Sequence, residues 1–268
     1  MRRFLGQCGA IALRDLAVLR TYGRSAVLGT LSGLLGVLSY YFIGKLVGSD
    51  ALTLTGGAYF PFVCTGLMIQ LIVVACLGSL GSSLAREANE GTLEPELAAG
   101  ASPLALIVGA AAAPALLALI QALLYGVVGA LCLGVDLSNA RPGPAALALI
   151  LTLIACAPVG FLGAAAWLVF RRPGIVTSVV FFGFGLLGGV YFPIALLPDL
   201  VAGVAVWVPL AAGLEALRAA LLNGAGYGET LPAQLRLLVV ATVSLPPSLV
   251  LLRMSLRRAM ARGTLALV

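Results

Sequence analysis

The sequence predicts an all-α integral membrane protein, and three observations support this fold class. Hydrophobic residues make up 61% of the 268 residues and charged residues only 10%, whereas roughly 25% of the residues of a soluble domain are charged. The mean hydropathy, +1.11, is correspondingly high. Apolar runs of roughly 20 residues, the length that a helix needs to cross about 30 Å of hydrocarbon, recur along the chain. We therefore expect one transmembrane domain over residues 1–268, with no separate soluble domain.

Residues 1–25 precede the first apolar run and predict an amphipathic helix that lies in the membrane interface. The apolar side chains on one side of its helical wheel are Phe4, Leu5, Cys8, Ile11, Ala12, Leu16 and Leu19. The basic side chains on the other side are Arg2, Arg3, Arg14, Arg20 and Arg24, a division typical of helices that lie flat on a bilayer. Asp15 on the apolar side and Leu13 on the basic side are exceptions. The alternative is a basic flank that only orients the first span.

Six apolar runs are long enough to be spans. They are residues 26–47, 58–83, 104–135, 145–170, 174–192 and 235–256. The third run is long enough to tilt or protrude, and Pro114 is expected to kink it. Residues 193–224 are also apolar, but Pro198, Asp199 and Pro209 break them into pieces too short to cross. We expect this segment to form a re-entrant helical hairpin on the external face, packed against protein because lipid does not tolerate irregular backbone.

The distribution of basic residues predicts the orientation. If both termini are cytoplasmic, four of the sixteen Lys and Arg residues (Lys45, Arg141, Arg218 and Arg236) lie outside, and the other twelve lie inside. This asymmetry is the positive-inside pattern of membrane proteins. The net charge of +6 therefore reflects orientation in the bilayer, and no polybasic tract indicates a nucleic-acid partner.

The loop of residues 86–102, between the second and third spans, is unexpectedly acidic for a cytoplasmic loop. Glu87, Glu90 and Glu94 recur at helical spacing, with Leu93 and Leu97 beside them. Gly91 and Thr92 interrupt this helix or cap a second short one, and Glu96 adds a fourth carboxylate. Two interpretations remain: a solvated loop, or a docking surface for a groove that is basic or rich in N–H groups.

Two motifs carry a resemblance to the permeases of ABC type-2 exporters. Glu90-Gly91-Thr92-Leu93-Glu94 resembles the E-x-G-T-L-E element of the first cytoplasmic loop in that family. The second motif resembles the family's pattern of Gly, Phe-Pro, two further prolines and E-A-L-R. Its matching positions are Gly189, Phe192, Pro193, Pro198, Pro209, Glu215, Ala216, Leu217 and Arg218. The chain departs from the family at Pro95, Glu96 and Gly100, where leucines and then a proline are usual.

The resemblance implies roles for both regions. Residues 86–102, here called the coupling segment, would hold the helix that inserts into an ATPase. The residues implied in this contact are Glu87, Glu90, Gly91, Thr92, Leu93, Glu94 and Leu97. Residues 193–224, here called the external hairpin, would shape an outer gate with Gly189, Phe192, Pro193, Pro198, Pro209, Glu215 and Arg218. Glu215 and Arg218 are also expected to pair, since they stand three residues apart on a helix.

The implied protein is the permease subunit of an ATP-driven exporter in the bacterial cytoplasmic (inner) membrane. The chain contains no G-x-x-x-x-G-K-[ST] motif, so ATP and Mg²⁺ would be bound by a separate nucleotide-binding subunit, itself a dimer. A second permease chain, identical or related, would complete the complex. The cargo would be amphiphilic, lipid-linked or polymeric, and the sequence identifies no residues that bind it.

Two alternatives are a secondary transporter and a membrane-embedded enzyme. A secondary transporter is disfavoured because ionisable residues are almost absent near the predicted midplane and no inverted repeat occurs. An enzyme is disfavoured because the chain has no histidine and no nucleophile motif, so we expect no catalytic residue in it. The five cysteines lack metal-ligand spacing, so no metal site is expected.

Overall fold

The computed structural model describes residues 2–21, 23–46, 59–170 and 174–261. These residues form α-helices, turns and one short 3₁₀ helix, and no strand occurs among them. The all-α fold class is thus confirmed. The N-terminal helices are α1 (Arg2–Thr21), α2 (Gly23–Leu46), α3 (Tyr59–Asn89) and α4 (Leu93–Ala98). The central helices are α5 (Pro103–Ala110), α6 (Ala112–Cys132), α7 (Pro142–Phe170) and α8 (Gly174–Leu187). The C-terminal helices are α9 (Asp199–Ala205), α10 (Pro209–Leu222) and α11 (Tyr227–Ala261).

Five helical segments of the described chain are long and apolar enough to cross a membrane. They are Val27–Leu46, Tyr59–Leu80, Pro103–Cys132, Pro142–Phe170 and Tyr227–Met260. Each coincides with a predicted span. The prolines and glycines place the breaks: Pro114 cannot donate a hydrogen bond to the Ala110 carbonyl, and the third span accordingly breaks at Ala111, between α5 and α6.

The fifth predicted span differs from the expectation. The described part of helix α8 is 14 residues long, about 21 Å at 1.5 Å per residue, which is shorter than the hydrocarbon layer. It ends at Leu187 because Gly188 and Gly189 follow, and Gly189 has a φ of 71°, which a helix cannot contain. The external hairpin contributes the bent pair α9 and α10, whose axes differ by 78°. The described chain therefore has five spans, or six if this pair counts as one.

Helix α7 lies at the centre of the bundle and packs against α3, α10 and α11. Small residues allow the close approach: Gly160 faces Leu80 of α3, and Gly213 of α10 faces Thr152. Helix α2 is different, because only 6% of its span is buried, compared with 56% of the α3 span. Two side chains of α6 donate hydrogen bonds to Thr30 of α2: Gln121 Nε2 to the Thr30 hydroxyl oxygen at 2.8 Å and the Tyr125 hydroxyl group to the Thr30 carbonyl at 3.2 Å.

Candidate functional site

Two glycines shape the coupling segment. Helix α3 ends where Gly91 adopts a φ of 71°, and the amide groups of Gly91 and Thr92 donate to the carbonyls of Ala88 and Glu87. This double hydrogen bond is the Schellman motif, which needs a left-handed residue after the helix. Gly100, with a φ of 84°, ends α4 in a similar way. The turn at Gly91 separates Glu87 from Glu94, so they do not share one continuous helical face as their spacing predicted.

Glu87 lies inside the protein, with only 1% of its surface exposed. Arg14 of α1 reaches it from 73 positions away, and its Nη2 atom lies 2.5 Å from Glu87 Oε1. The Thr92 hydroxyl group donates to the second oxygen, Oε2. A buried carboxylate requires such a charged partner. The expectation that Glu87 lies on an exposed docking face is therefore wrong, because its two carboxylate oxygens accept hydrogen bonds from Arg14 and Thr92 inside the protein.

Arg14 also contacts two further carboxylates. Its Nη1 atom donates to Glu96 Oε1 of α4 at 2.7 Å, and its Nε atom donates to Asp15 Oδ1 at 3.1 Å. Asp15 in turn accepts a hydrogen bond from Arg86 Nη2 at 2.7 Å. The hydrogen bond with Glu87 is the main reason why the pKa of Arg14 is raised above its ordinary value. We call these five residues the Arg14 cluster.

The Arg14 cluster explains the two exceptions on the α1 helical wheel. Asp15 is buried because it pairs with Arg14 and Arg86. Leu13 is 70% exposed because the polar side chain of Arg14 points into the protein instead. On the predicted apolar side, Cys8 and Ile11 pack against Gly109 of α5, so this part of α1 contacts protein.

The other predicted coupling residues divide into two groups. Glu90 and Gly91 are exposed at the tip of the turn, and Thr92 is half-buried beside Glu87. Leu93, Glu94 and Leu97 belong to α4, but their side chains lie outside the described part of the structure. Two hydrogen bonds fix the end of the segment to α1: Gln7 Nε2 donates to the Gly100 carbonyl, and the Ser102 amide donates to Gln7 Oε1.

At the external hairpin, each predicted proline marks a helix start. Pro193 precedes the 3₁₀ helix Ile194–Leu196, Pro198 precedes α9, and Pro209 is the first residue of α10. Proline suits these positions because the first residues of a helix lack an acceptor for their amide groups anyway. The prolines thus separate the hairpin into three short helical pieces.

Arg218 of α10 joins three parts of the chain at the end of the bundle that carries the external hairpin. Its Nη1 atom donates to the Gly189 carbonyl at 3.0 Å, and its Nη2 atom donates to the Phe62 carbonyl of α3 at 2.9 Å and to the Val190 carbonyl at 3.3 Å. The guanidinium carbon stacks 3.5 Å from the centre of the Phe62 ring. Gly66 leaves room for this group, since a Cβ atom there would lie 3.0 Å from Nη2.

The expected pair between Glu215 and Arg218 does not form. Arg218 points inward to main-chain carbonyls, whereas Glu215 is exposed and accepts a hydrogen bond from Arg236 Nη2 of α11 at 2.5 Å. The three-residue spacing puts both side chains near one face of α10, but the neighbouring helices offer each a nearer partner. The spacing alone therefore led to the wrong pair.

A cavity of about 720 Å³ opens between the external hairpin and the N-terminal end of α3. Phe62, Gly189, Pro193, Glu215, Arg218 and Arg236 are among the residues that line it. The structure thus brings together four of the predicted gate residues. Phe192 is half-buried and Pro198 is exposed, and neither lines the cavity.

Sequence reasoning missed the cluster residues Arg14, Asp15 and Arg86, and it missed Gly66 beside Arg218. The one available signal was Asp15, an acidic residue on the apolar side of an otherwise regular wheel. Such a misplaced charge indicates a buried partner, but the partner was not identifiable from the pattern.

The chain was compared with known proteins. A family model described as ABC-2 type transporter matches residues 7–222. This range contains the coupling segment, most of the residues that line the cavity, and residues 193–222 of the external hairpin. A comparison with curated proteins finds no match.

Proposed function

The chain belongs to the ABC-2 type transporter family and is a multi-pass permease of an ABC transporter; on that premise we propose that it is the membrane subunit of an ATP-driven exporter. The observation that carries this proposal is the coupling segment, a short helix held at the inner end of α3 with the Glu90 turn exposed beside it. A permease of this family works with an ATP-binding subunit. We propose that this subunit contacts the exposed turn and α4.

The proposed mechanism is the transfer of a mechanical displacement. ATP and Mg²⁺, bound by a dimer of the separate subunit, bring its two halves together and push on α4. Helix α3 continues directly from the coupling segment to the outer end of the bundle, where Phe62 contacts Arg218 and the cavity. A shift at the inner end therefore has a continuous helical route to the proposed outer gate.

The spans support an exporter of amphiphilic, lipid-linked or polymeric cargo over an ion-coupled carrier. The segments Tyr59–Leu80, Pro103–Cys132 and Pro142–Phe170 contain no Asp, Glu, Lys or Arg at all. Carriers coupled to protons or ions normally place such groups within the membrane. The largely uncovered helix α2 supports pairing with a second permease chain, identical or related.

We further propose that the protein resides in the bacterial inner membrane with both termini in the cytoplasm. Single cysteines at Asp199 or Tyr227, in a chain without the five native cysteines, should then react with an impermeant thiol reagent added outside intact cells. A cysteine at Glu90 should react only after the cells are broken. Labelling of Glu90→Cys in intact cells would contradict the proposed orientation and indicate the opposite one.

The docking role is tested by reversing two charges. The Glu90→Lys/Glu94→Lys chain should lose its copurifying P-loop ATPase, because like charges would then face a basic or N–H-rich groove at a partly desolvated interface, at a cost of about 2–5 kcal/mol. The measurements are copurification and permease-dependent ATP hydrolysis in reconstituted vesicles.

A matched control is Glu229→Lys, since Glu229 is exposed at the outer end of α11. It should bind the ATPase as the parent chain does. If the double reversal also bound and stimulated the ATPase normally, the acidic segment would be a solvated loop and the docking role would be wrong.

A further inference from the structure

The Arg14 cluster joins three segments that no continuous helix connects. Arg14 and Asp15 come from α1, Arg86 and Glu87 from the inner end of α3, and Glu96 from α4. Helix α4 has only six residues and packs mainly on α3. Among the described residues, the contact between Arg14 and Glu96 is therefore the ionic link between α4 and α1.

The charges in this cluster make Arg14 the central residue. The buried Glu87 carboxylate lies 2.5 Å from Arg14 but 3.9 Å from the nearest nitrogen of Arg86. Arg86 is instead engaged by Asp15 at 2.7 Å. Removal of Arg14 would leave a buried carboxylate without its close cation and would free Glu96 as well.

The geometry requires a guanidinium group. Nη2 points to Glu87, Nη1 to Glu96 and Nε to Asp15, so three donor positions serve three carboxylates. The flat guanidinium fork holds these directions at once, whereas the ammonium group of lysine is a single point charge on a flexible stem. A lysine would neutralise the site but would not fix the three segments in one arrangement.

We propose that Arg14 is a positioning residue that makes α1, the inner end of α3 and α4 move as one body when the ATPase displaces the coupling segment. The inference rests on the proposed function, since it takes α4 as the helix that the ATPase moves. Helix α1 then transmits the displacement along the membrane interface to α5, against which Cys8 and Ile11 pack. Arg14 would thereby determine how efficiently ATP hydrolysis is coupled to the spans, while the exposed Glu90 turn determines docking.

The test measures the position of α4 relative to α1 directly. Spin labels on Ala10→Cys and Ala98→Cys, both exposed sites, report the distance between the helices in a full-length chain that lacks the native cysteines. The parent should give one narrow distance distribution. Arg14→Gln should broaden it strongly, and Arg14→Lys should broaden it less because the neutralising charge remains. Arg257→Gln, at an exposed arginine of α11 with no ion pair among the described residues, is the matched control and should leave the distribution narrow.

The second measurement uses the complex with the ATPase in reconstituted vesicles. Arg14→Lys should still copurify with the ATPase, while permease-dependent ATP hydrolysis falls about tenfold, as expected for the loss of contacts at a buried charge. Because Arg14→Lys keeps the charge that Glu87 needs, it decides the question even if Arg14→Gln does not fold.

A parental distance distribution in Arg14→Lys, together with parental ATP hydrolysis, would overturn the inference. The distance measurement is made on the permease alone, so it does not depend on the partner. Failure of the parent chain to bind a P-loop ATPase would instead refute the proposed function, whatever the spin labels show.

Discussion

Arg14 and Arg218 lie at opposite ends of the bundle, and each holds separate segments of the chain together, but with different partner groups. Each guanidinium group joins three segments of the chain. Arg14 is satisfied by carboxylates of Asp15, Glu87 and Glu96, whereas Arg218 is satisfied by the main-chain carbonyls of Phe62, Gly189 and Val190. In the proposed orientation, the Arg14 site is the inner junction, which is ionic, and the Arg218 site is the outer junction, which caps backbone groups.

The difference determines what each junction responds to. Carboxylates carry charge and can take up protons, so the inner junction responds to charge changes and to pH. Main-chain carbonyls do neither, so the outer junction responds only to the shape and hydrogen-bonding capacity of the residue that fills it. The Phe62 ring adds a cation–π contact at the outer site, which partly compensates a cation that has no carboxylate partner.

The largest effect is expected for Arg218→Lys. A lysine keeps the charge but has one Nζ atom in place of the two Nη atoms that donate to carbonyls and the Nε atom that donates to the Thr65 hydroxyl group at 3.4 Å. Buried carbonyls then lose their partners at about 1–3 kcal/mol each. We expect the melting temperature of the purified permease to fall by about 10 °C. Arg236→Lys is the control, because the pair of Arg236 with Glu215 is exposed and is worth about 1 kcal/mol or less. Equal melting temperatures for the two variants would show that the carbonyl contacts of Arg218 contribute nothing.

A second variant disturbs the outer junction without changing any charge. In Gly66→Ala, the new Cβ atom would lie 2.7 Å from the Val190 carbonyl oxygen and 3.0 Å from Arg218 Nη2, so one of them must shift. We expect a loss of about 1–3 kcal/mol, typical of overpacking in a tight core, measured as a lower melting temperature. Gly36→Ala in α2 is the matched control, since a Cβ atom there meets nothing within 4 Å. If both variants lost stability equally, the cause would be the replacement of a helical glycine by alanine in general, and not the crowding of Arg218.

The smallest effect, and the one that distinguishes the junctions most sharply, is expected for Glu96→Gln. Burial raises the pKa of Glu96, and the charge of Glu87 raises it further, although Arg14 acts in the opposite direction. One oxygen, Glu96 Oε2, is buried and has no hydrogen-bond partner among the described residues. The folded protein therefore prefers the protonated form more than the unfolded chain does.

The sign of the pH effect follows from this preference. The contribution of Glu96 to stability is fully present below the unfolded pKa and is lost as the pH rises through the folded value. Glutamine resembles the protonated form at every pH. Glu96→Gln should therefore exceed the parent in melting temperature at pH 7, by about 2 °C or less, and the difference should shrink as the pH falls toward the ordinary pKa of a glutamate. A difference that grew on acidification would contradict this account. No variant of Arg218 should show such a pH dependence.

Much of the fold was predictable because local sequence rules decide it. Apolar length located five spans, and Pro209 and Gly91 located a helix start and a helix end, since ring closure and a positive φ act on the residues themselves. In the fifth predicted run a similar local rule ends the helix early: Gly188 and Gly189 end α8 at Leu187, although the apolar composition continues to Phe192. The candidate site was less predictable. Glu87 and Glu90 stand at a spacing that predicts one helical face, yet Glu87 is buried and Glu90 is exposed.

By itself, the sequence determined that this protein is helical and spans a membrane several times, and it predicted where the coupling segment and the external hairpin lie. Those properties follow from hydrophobic length, turn residues and motifs, each of which acts within a few residues. Only the tertiary structure decided which charges meet. Glu87 takes its cation from 73 positions away, and Arg218 passes over the nearby Glu215 for carbonyls 28 and 156 positions away. The physical reason is that a hydrogen bond forms only between atoms that lie within about 3 Å of each other in space. The spacing of two residues along one helix makes a contact between them possible, but it does not determine whether a neighbouring helix offers a better partner.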